Sequence, residues 1–366
     1  MKKLSEKIRF LFFFNMGYVT IIMGVCMESI YNLNREDLED YLVSNGEKKY
    51  RTLQIIDWLY VKRVKDFKSM SNLSLGLIEK LERDFNFDDI RISIRQSGED
   101  VDKFLITLSD NHAIEAVLMH HDYGSSLCIS TEIGCNMGCH FCESGRLKKI
   151  RNLTPSEMVM QILLIEEAMN IRISHVVLMG IGEPFDNYDN VCKFVSIVND
   201  CKGINLVSRH ITISTCGIVP KIYEFSDFPY QVNLAISLHA PNDKIRSQIM
   251  NINKAYPLSK VMEAIKYYIK KTNRRVTFEY IMLSQVNDSL ECAKELSELL
   301  KGINCYVNLI PYNETNNISF KRSNREQIMK FYDILKKNKI NVTIRREFGG
   351  NIDAACGQLR AKGEVV

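Results

Sequence analysis

From residue 126 onward the chain alternates between short apolar runs and longer stretches whose apolar residues recur at three- and four-residue spacing. The runs SLCIST, SHVVLMG, HITIST, VNLAISLH, RRVTFEYIML, YVNLIPY and NVTIRR have the length and β-branched content of buried strands. Between them SEMVMQILLIEEAMN, LSKVMEAIKYYIKK, SLECAKELSELLK and REQIMKFYDILKK carry the helical period. Strand and helix in alternation predict an α/β fold with a parallel sheet. Upstream, NREDLEDYLVSN, KKYRTLQIIDWLYVKRV and LSLGLIEKLERDF predict a small helical region, and DKFLITLSDNHAIEAVLMHHD a hairpin. The expected organisation is a poorly defined extension over 1–26, a helical N-terminal domain over 27–95, and a β-hairpin connector over 96–125. A barrel-like domain over 126–360 and a tail over 361–366 complete it.

The first 26 residues hold basic residues followed by LFFF and VTIIMGV, which resembles a signal peptide. Asn15, Gly17 and Tyr18 interrupt that run and no A-x-A site follows, so translation is expected to start at Met23 or Met27. A composition of 46% hydrophobic and 25% charged residues excludes a disordered or fibrous chain. The net charge of +4 neither demands nor excludes a nucleic-acid partner. Lys48, Lys49, Arg51, Lys62, Arg63 and Lys65 make the helical region locally basic, as either an RNA-facing patch or a solvated face. The 11 cysteines are too sparse for a disulfide scaffold. Their odd number and one tight cluster point to a reducing cytoplasm and a metal centre.

Chemistry in such sheets sits at the C-terminal ends of the strands. The cluster CNMGCHFC follows SLCIST, GIGEP follows HVVLM, Ser214 to Gly217 follow HITI, Ser237 and His239 end NLAISLH, and Asn313 follows YVNLIPY. Cys135, Cys139 and Cys142 stand in CxxxCxxC spacing, which fits neither a zinc ribbon nor a lone redox dithiol. Three thiolates on one loop can hold three irons of a [4Fe–4S] cube, leaving the fourth open to the amino and carboxylate groups of S-adenosylmethionine (SAM). That spacing is a radical SAM signature. A zinc site completed by His140 or a distant residue is the alternative.

Residues 50–360 resemble the RlmN/Cfr family of radical SAM methyltransferases. The carrying stretches are YRTLQIIDWLY, IEAVLM, SLCISTEIGCNMGCHFC, RNLTPSEMV, GIGEPFDNYDNV, ITISTCGIVP, LAISLHAPND, VNLIPYN and NVTIRREFGGNIDAACGQL. The resemblance implies a partial (β/α) barrel of the radical SAM type behind a small helical N-terminal domain. It implies one [4Fe–4S] cluster on Cys135, Cys139 and Cys142, and SAM contacts at Gly182, Glu183, Ser214, Ser237, Leu238, His239 and Asn313. Cys356 falls on the family's methyl-carrying cysteine, Cys128 on its second reactive cysteine, and Glu115 on a glutamate assigned as proton acceptor.

An aromatic adenine carbon is not nucleophilic, so methyl transfer to it needs a radical. The implied reaction uses two SAM per turnover. One methylates Cys356; cleavage of the other yields a radical that takes hydrogen from that methyl, and the resulting carbon radical adds to adenine. Loss of the ring proton and attack of Cys128 on the Cys356 sulfur release the product and leave a disulfide. The expected substrates are an adenine of 23S rRNA at the peptidyl-transferase centre and, as in RlmN, transfer RNA. An electron donor such as flavodoxin or ferredoxin is implied, with a cytoplasmic, monomeric protein and no membrane association. GIGEP, LAISLHAPND and VNLIPYN are nearer RlmN, which methylates carbon 2. Glu143 after the last thiol, the short GRLKKI, and NINK at Asn251 where the family usually has PINK are departures. Cfr-type methylation of carbon 8, an RNA binder without catalysis, and a radical sulfur insertion are the competing readings.

Overall fold

Asn34 starts the first helix, α1 (Arg35–Ser44), by accepting from the Asp37 amide while the Asp37 carboxylate accepts from the Asn34 amide. With α2 (Tyr50–Ile56) and α3 (Leu75–Asp84) it forms a small helical unit whose core includes Leu38, Leu42, Ile55, Leu77 and Leu81. Helix α2 runs into a π turn, Asp57–Val61. In this computed structural model residues 27–315 and 318–345 are described, with the backbone of 9–11 and 22–24. The chain divides into two compact units at residues 88 and 89. Lys49 pairs with Glu39 at 2.6 Å and Lys62 with Asp57 at 2.9 Å, so part of the basic character expected here is neutralised locally.

The second unit is built on a 10-stranded sheet in which every strand lies beside its neighbours in sequence. Strands β1 (Arg91–Ser97), β2 (Val101–Thr107), β3 (Ala113–His121) and β4 (Gly124–Ile129) pair antiparallel. The stretch read as a hairpin connector is thus continuous with the main sheet. From β4 through β5 (Ile173–Leu178), β6 (Ile211–Thr215), β7 (Asn233–Ser237), β8 (Val276–Met282), β9 (Cys305–Pro311) and β10 (Val342–Ile344) each pair is parallel. Crossover helices α4 (Pro155–Met169), α5 (Tyr188–Val198), α6 (Val219–Phe225), α7 (Asp243–Ile249), α8 (Leu258–Thr272), α9 (Leu290–Leu300) and α10 (Arg325–Lys337) return the chain. The TPSE of RNLTPSEMV starts α4 by a capping box: Thr154 accepts from the Glu157 amide, Glu157 from the Thr154 amide, and Pro155 occupies the first turn.

Register decides what faces inward. Val117 pairs with Cys128, Cys128 with Val177, Val177 with Thr212, and Thr212 with Asn233. Directly paired residues share a face and alternate residues return to it. Glu115, Cys128, Ser214, Ser237 and Glu279 therefore lie on one face of the sheet. No described helix is long and apolar enough to cross a membrane.

Candidate active site

The loops after β4 and β5 and the ends of β6 and β7 surround one cavity. Cys135, Cys139, Cys142, Gly182, Glu183, Ser214, Ser237 and His239 line it, so most of the predicted site residues meet here. Beneath the cysteine loop lies an apolar cushion that includes Phe141, Ile249, Met250, Ile281 and Leu283.

Three tethers hold the cysteine loop. The Cys135 amide donates to the Leu147 carbonyl at 2.9 Å, and the His140 amide to the Ile249 carbonyl at 2.9 Å. The Asn251 amide group donates to the Gly138 carbonyl at 3.1 Å, so the asparagine that departs from PINK clamps the loop. Gly138 has φ +60°, and a Cβ there would lie 2.8 Å from the Asn251 amide nitrogen. His140 is exposed, and its Nδ1 lies 2.8 Å from the Gln248 carbonyl oxygen, to which it donates. That bond turns the ring toward α7, against its serving as a zinc ligand through Nδ1.

Burial pushes the Cys135 thiol up to about 12, and raises Cys139 well above its ordinary value, with neighbouring thiols adding to the effect. Three thiolates in this apolar setting require a compensating positive centre. Among the described residues no three metal-ligating groups converge on a single-ion site. A cube binds its thiolates at different corners, so ligands spread around a cavity suit it better than they suit one zinc ion. No disulfide joins the described cysteines.

Carboxylates stitch the strand-end loops together. The Glu183 carboxylate accepts the Cys216 amide at 2.8 Å and the Phe185 amide at 3.0 Å, joining the loops after β5 and β6. The Glu183 amide in turn donates to Glu132 Oε2 at 3.0 Å, and Lys149 lies 2.5 Å from Glu132 Oε1 and 2.7 Å from Asp186. Between them Gly182 has φ +111°, and a Cβ would stand 2.6 Å from the Glu132 side chain. Only glycine passes.

His239 sits at φ +57° with Nδ1 accepting the Ile281 amide at 3.1 Å. Burial, and then the nearby Arg246 cation, push it down to about 3, so the ring is neutral and Nε2 carries the proton. Arg246 is fully buried and donates to the carbonyls of Leu238 (3.2 Å), Ser237 (3.4 Å), Cys216 (2.6 Å) and Tyr256 (3.2 Å) and to Asn253 Oδ1 (2.9 Å). It ties the ends of β6 and β7 to the segment after α7. Sequence reasoning missed Arg246, Glu132 and Glu279. The arginine in APNDKIR reads from sequence as an exposed helix residue, and only its zero exposure reveals it.

The remaining expected residues lie elsewhere. Leu238 is buried and does not line the cavity, and neither does Asn313, beyond the end of β9. Glu115 is buried on β3, 3.2 Å from the Lys103 ammonium, and its carbonyl accepts the Ser130 hydroxyl at 2.6 Å. Cys128 shares its face and packs with Val117, Met119 and Ile181. Cys356 lies outside the described residues.

A parallel barrel sheet with three loop cysteines and polar strand ends around one cavity defines a radical SAM enzyme. Residues 129–300 match the Radical SAM superfamily, and residues 29–86 match the ribosomal RNA large subunit methyltransferase N-terminal domain. A probable dual-specificity RNA methyltransferase RlmN from Spiroplasma citri is 53% identical over 93% of this chain and 99% of its own length. Another so named, from Enterococcus faecalis, is 54% identical over 92% of this chain and 96% of its own. The crystal structure of a radical SAM methyltransferase from Sphaerobacter thermophilus superposes with a TM-score of 0.86 at 38% identity, over 92% of this chain and 100% of that one. The chain belongs to the RlmN family of radical SAM RNA methyltransferases.

Proposed function

We propose that this protein methylates carbon 2 of an adenine in 23S rRNA and in transfer RNA, through a methyl group carried on Cys356. The observation that supports this most directly is the convergence of the three-thiol loop with Gly182, Ser214, Ser237 and His239 on one cavity, in a chain half identical to proteins named dual-specificity RNA methyltransferases. A [4Fe–4S] cluster and SAM, when bound, supply the electron, the radical and the methyl group.

The chain's own residues do the rest. Cys135, Cys139 and Cys142 hold the cluster. Ser214 and Ser237, with hydroxyls 3.5 Å apart, offer hydrogen bonds to SAM, and His239 offers its Nε2–H. Arg246 keeps the strand ends that present them from parting. Glu115, held beside Lys103, accepts the ring proton, and Cys128 attacks the Cys356 sulfur to free the product. Glu115 Oε1 lies 3.2 Å from the Lys103 ammonium, which holds the carboxylate in place on β3.

The test is an anaerobic reaction of the iron-loaded protein with SAM, a reductant and protein-free 23S rRNA or transfer RNA, digested and read by mass spectrometry against both methyl-adenosine standards. A 2-methyl product is expected on both RNAs. An 8-methyl product overturns the regiochemistry, and product on one RNA alone overturns the dual substrate range.

A further inference from the structure

The opposite end of the barrel carries a second constellation that the reaction does not use. Arg209 stands two residues before β6, Asn233 begins β7, Arg274 and Arg275 immediately precede β8, and Tyr123 precedes β4. In a parallel sheet these positions share the N-terminal edge, away from the cysteine loop.

Neutral groups hold the three guanidinium groups. Arg209 donates to the Gln231 side-chain oxygen at 2.9 Å, and Arg274 to Asn233 Oδ1 at 3.2 Å. Asn233 also donates to the Arg209 carbonyl at 2.7 Å, fixing the two arginines to one amide. Arg275 lies over the Tyr306 ring, 5.0 Å from its centroid. Among the described residues none of the three makes an ion pair with a carboxylate. Burial chiefly, and the like charge of Arg209 in part, lower Arg274 from its ordinary value, as expected of a cation that lacks an anion. Arg274 and Arg275 line an open polar cavity with Asn304, Asn308 and Thr343; Asp122 and Glu279 are its carboxylates, and Glu279 is engaged by Asn308 at 3.0 Å.

Beside the arginines lies an aromatic file. Tyr123 is 67% exposed and its ring stacks on His121 with centroids 4.6 Å apart. Tyr123 meets His175 edge-on at 5.5 Å, and His175 stacks on His210 at 4.3 Å. Among the described residues these imidazoles do not form a metal site. Cations without anions next to an exposed stacking ring are the two elements by which proteins hold single-stranded nucleic acid.

We propose that this edge of the barrel docks a single-stranded segment of RNA, with Arg209, Arg274 and Arg275 on its phosphates and a base stacked on Tyr123. Measured along the sheet, β4 to β8 is four strand spacings, about 19 Å. The proposal rests on the reading of RNA as substrate.

Its test is fluorescence anisotropy of iron-loaded, full-length protein with substrate RNA over a salt series, comparing wild type, R274A/R275A, R274K/R275K and Tyr123→Ala. The double alanine variant is expected to lose about tenfold or more in affinity, with a salt slope shallower by about 1.4, from two phosphate contacts of ~0.7 each. The double lysine variant keeps the slope. Tyr123→Ala, at an exposed position, weakens binding about fivefold with the slope unchanged. Iron content and unfolding temperature check the fold of each variant. Wild-type slope and affinity in both the double alanine variant and Tyr123→Ala overturn the proposal and leave the RNA reading intact. Failure of wild type to bind RNA overturns both, and full competition by adenosine monophosphate at equal phosphate concentration replaces the strand with a free nucleotide.

Discussion

The two ends of one barrel solve opposite problems with the same strands. At the C-terminal end, ionisable groups are buried and internally committed: Glu183 accepts two backbone amides, Glu132 a backbone amide and an ammonium, and Arg246 donates to four carbonyls and an amide oxygen. At the N-terminal end, guanidinium groups are held only by neutral amides and a ring. The first arrangement fixes geometry for chemistry. The second leaves charge available for a partner, because an amide orients an arginine without neutralising it.

The largest difference between the ends is expected from their removal. Cys139→Ala should abolish cluster retention and all SAM cleavage, read as iron and sulfide content after anaerobic reconstitution. A variant that keeps full iron loading would show that the loop is not the ligand set. Next, Arg246→Met strands several buried carbonyl acceptors and should cost about 3 kcal/mol or more in denaturant unfolding. A loss below about 0.5 kcal/mol would mean that the cofactor end is not held by this residue. By contrast, the R274A/R275A variant should unfold within about 1 kcal/mol of wild type, since its residues serve a partner and not the fold. A large destabilisation there would erase the distinction between the ends.

A smaller effect belongs to pH. Asp102, at the start of β2, is buried, which opposes its ionisation, but hydrogen bonds from Ser97, His120 and Arg95 outweigh this and lower its pKa. A depressed carboxylate stabilises the fold above its unfolded value of 3.8, and that contribution is lost as pH falls through the folded value. Asp102→Asn should therefore flatten the acid limb of stability below about pH 4, with little change in pH dependence near neutrality. An acid limb identical to wild type would assign the loss to other carboxylates. Smallest of all, Asn251→Ala removes one neutral hydrogen bond to the cysteine loop, worth about 1 kcal/mol. It should quicken oxidative loss of iron without preventing reconstitution, and an unchanged rate would show that the other two tethers suffice.

Much of this was legible along the chain, and the misses have causes. The parallel strands and helices α4, α8, α9 and α10 were readable because fully buried strands and amphipathic helices carry opposite periodicities. Strand β1 was not, since RISIRQS is mostly exposed and lacks a buried face. Helices α6 and α7 span seven residues each, too few for a period to register. The cysteine loop and most of the strand-end residues were legible as neighbours around one cavity because they follow successive strands, while Leu238 and Asn313 do not line it.

What the sequence by itself determined is therefore the chemistry and its order: three thiols in fixed spacing, a resemblance to the RlmN family, and a succession of strands whose ends bear polar residues. Tertiary structure alone decided which charges are committed and which are available. A carboxylate in GIGEP and an arginine in APNDKIR are ordinary surface residues until folding removes water from them and supplies backbone partners. In RRVTFEY, Arg274 and Arg275 read equally as phosphate contacts or as a charged surface, until neighbouring strands bring an amide and a ring, and no carboxylate at ion-pair distance, to their side. Ionic partnership depends on distances between residues far apart in the chain, and these exist only once register and strand order are set.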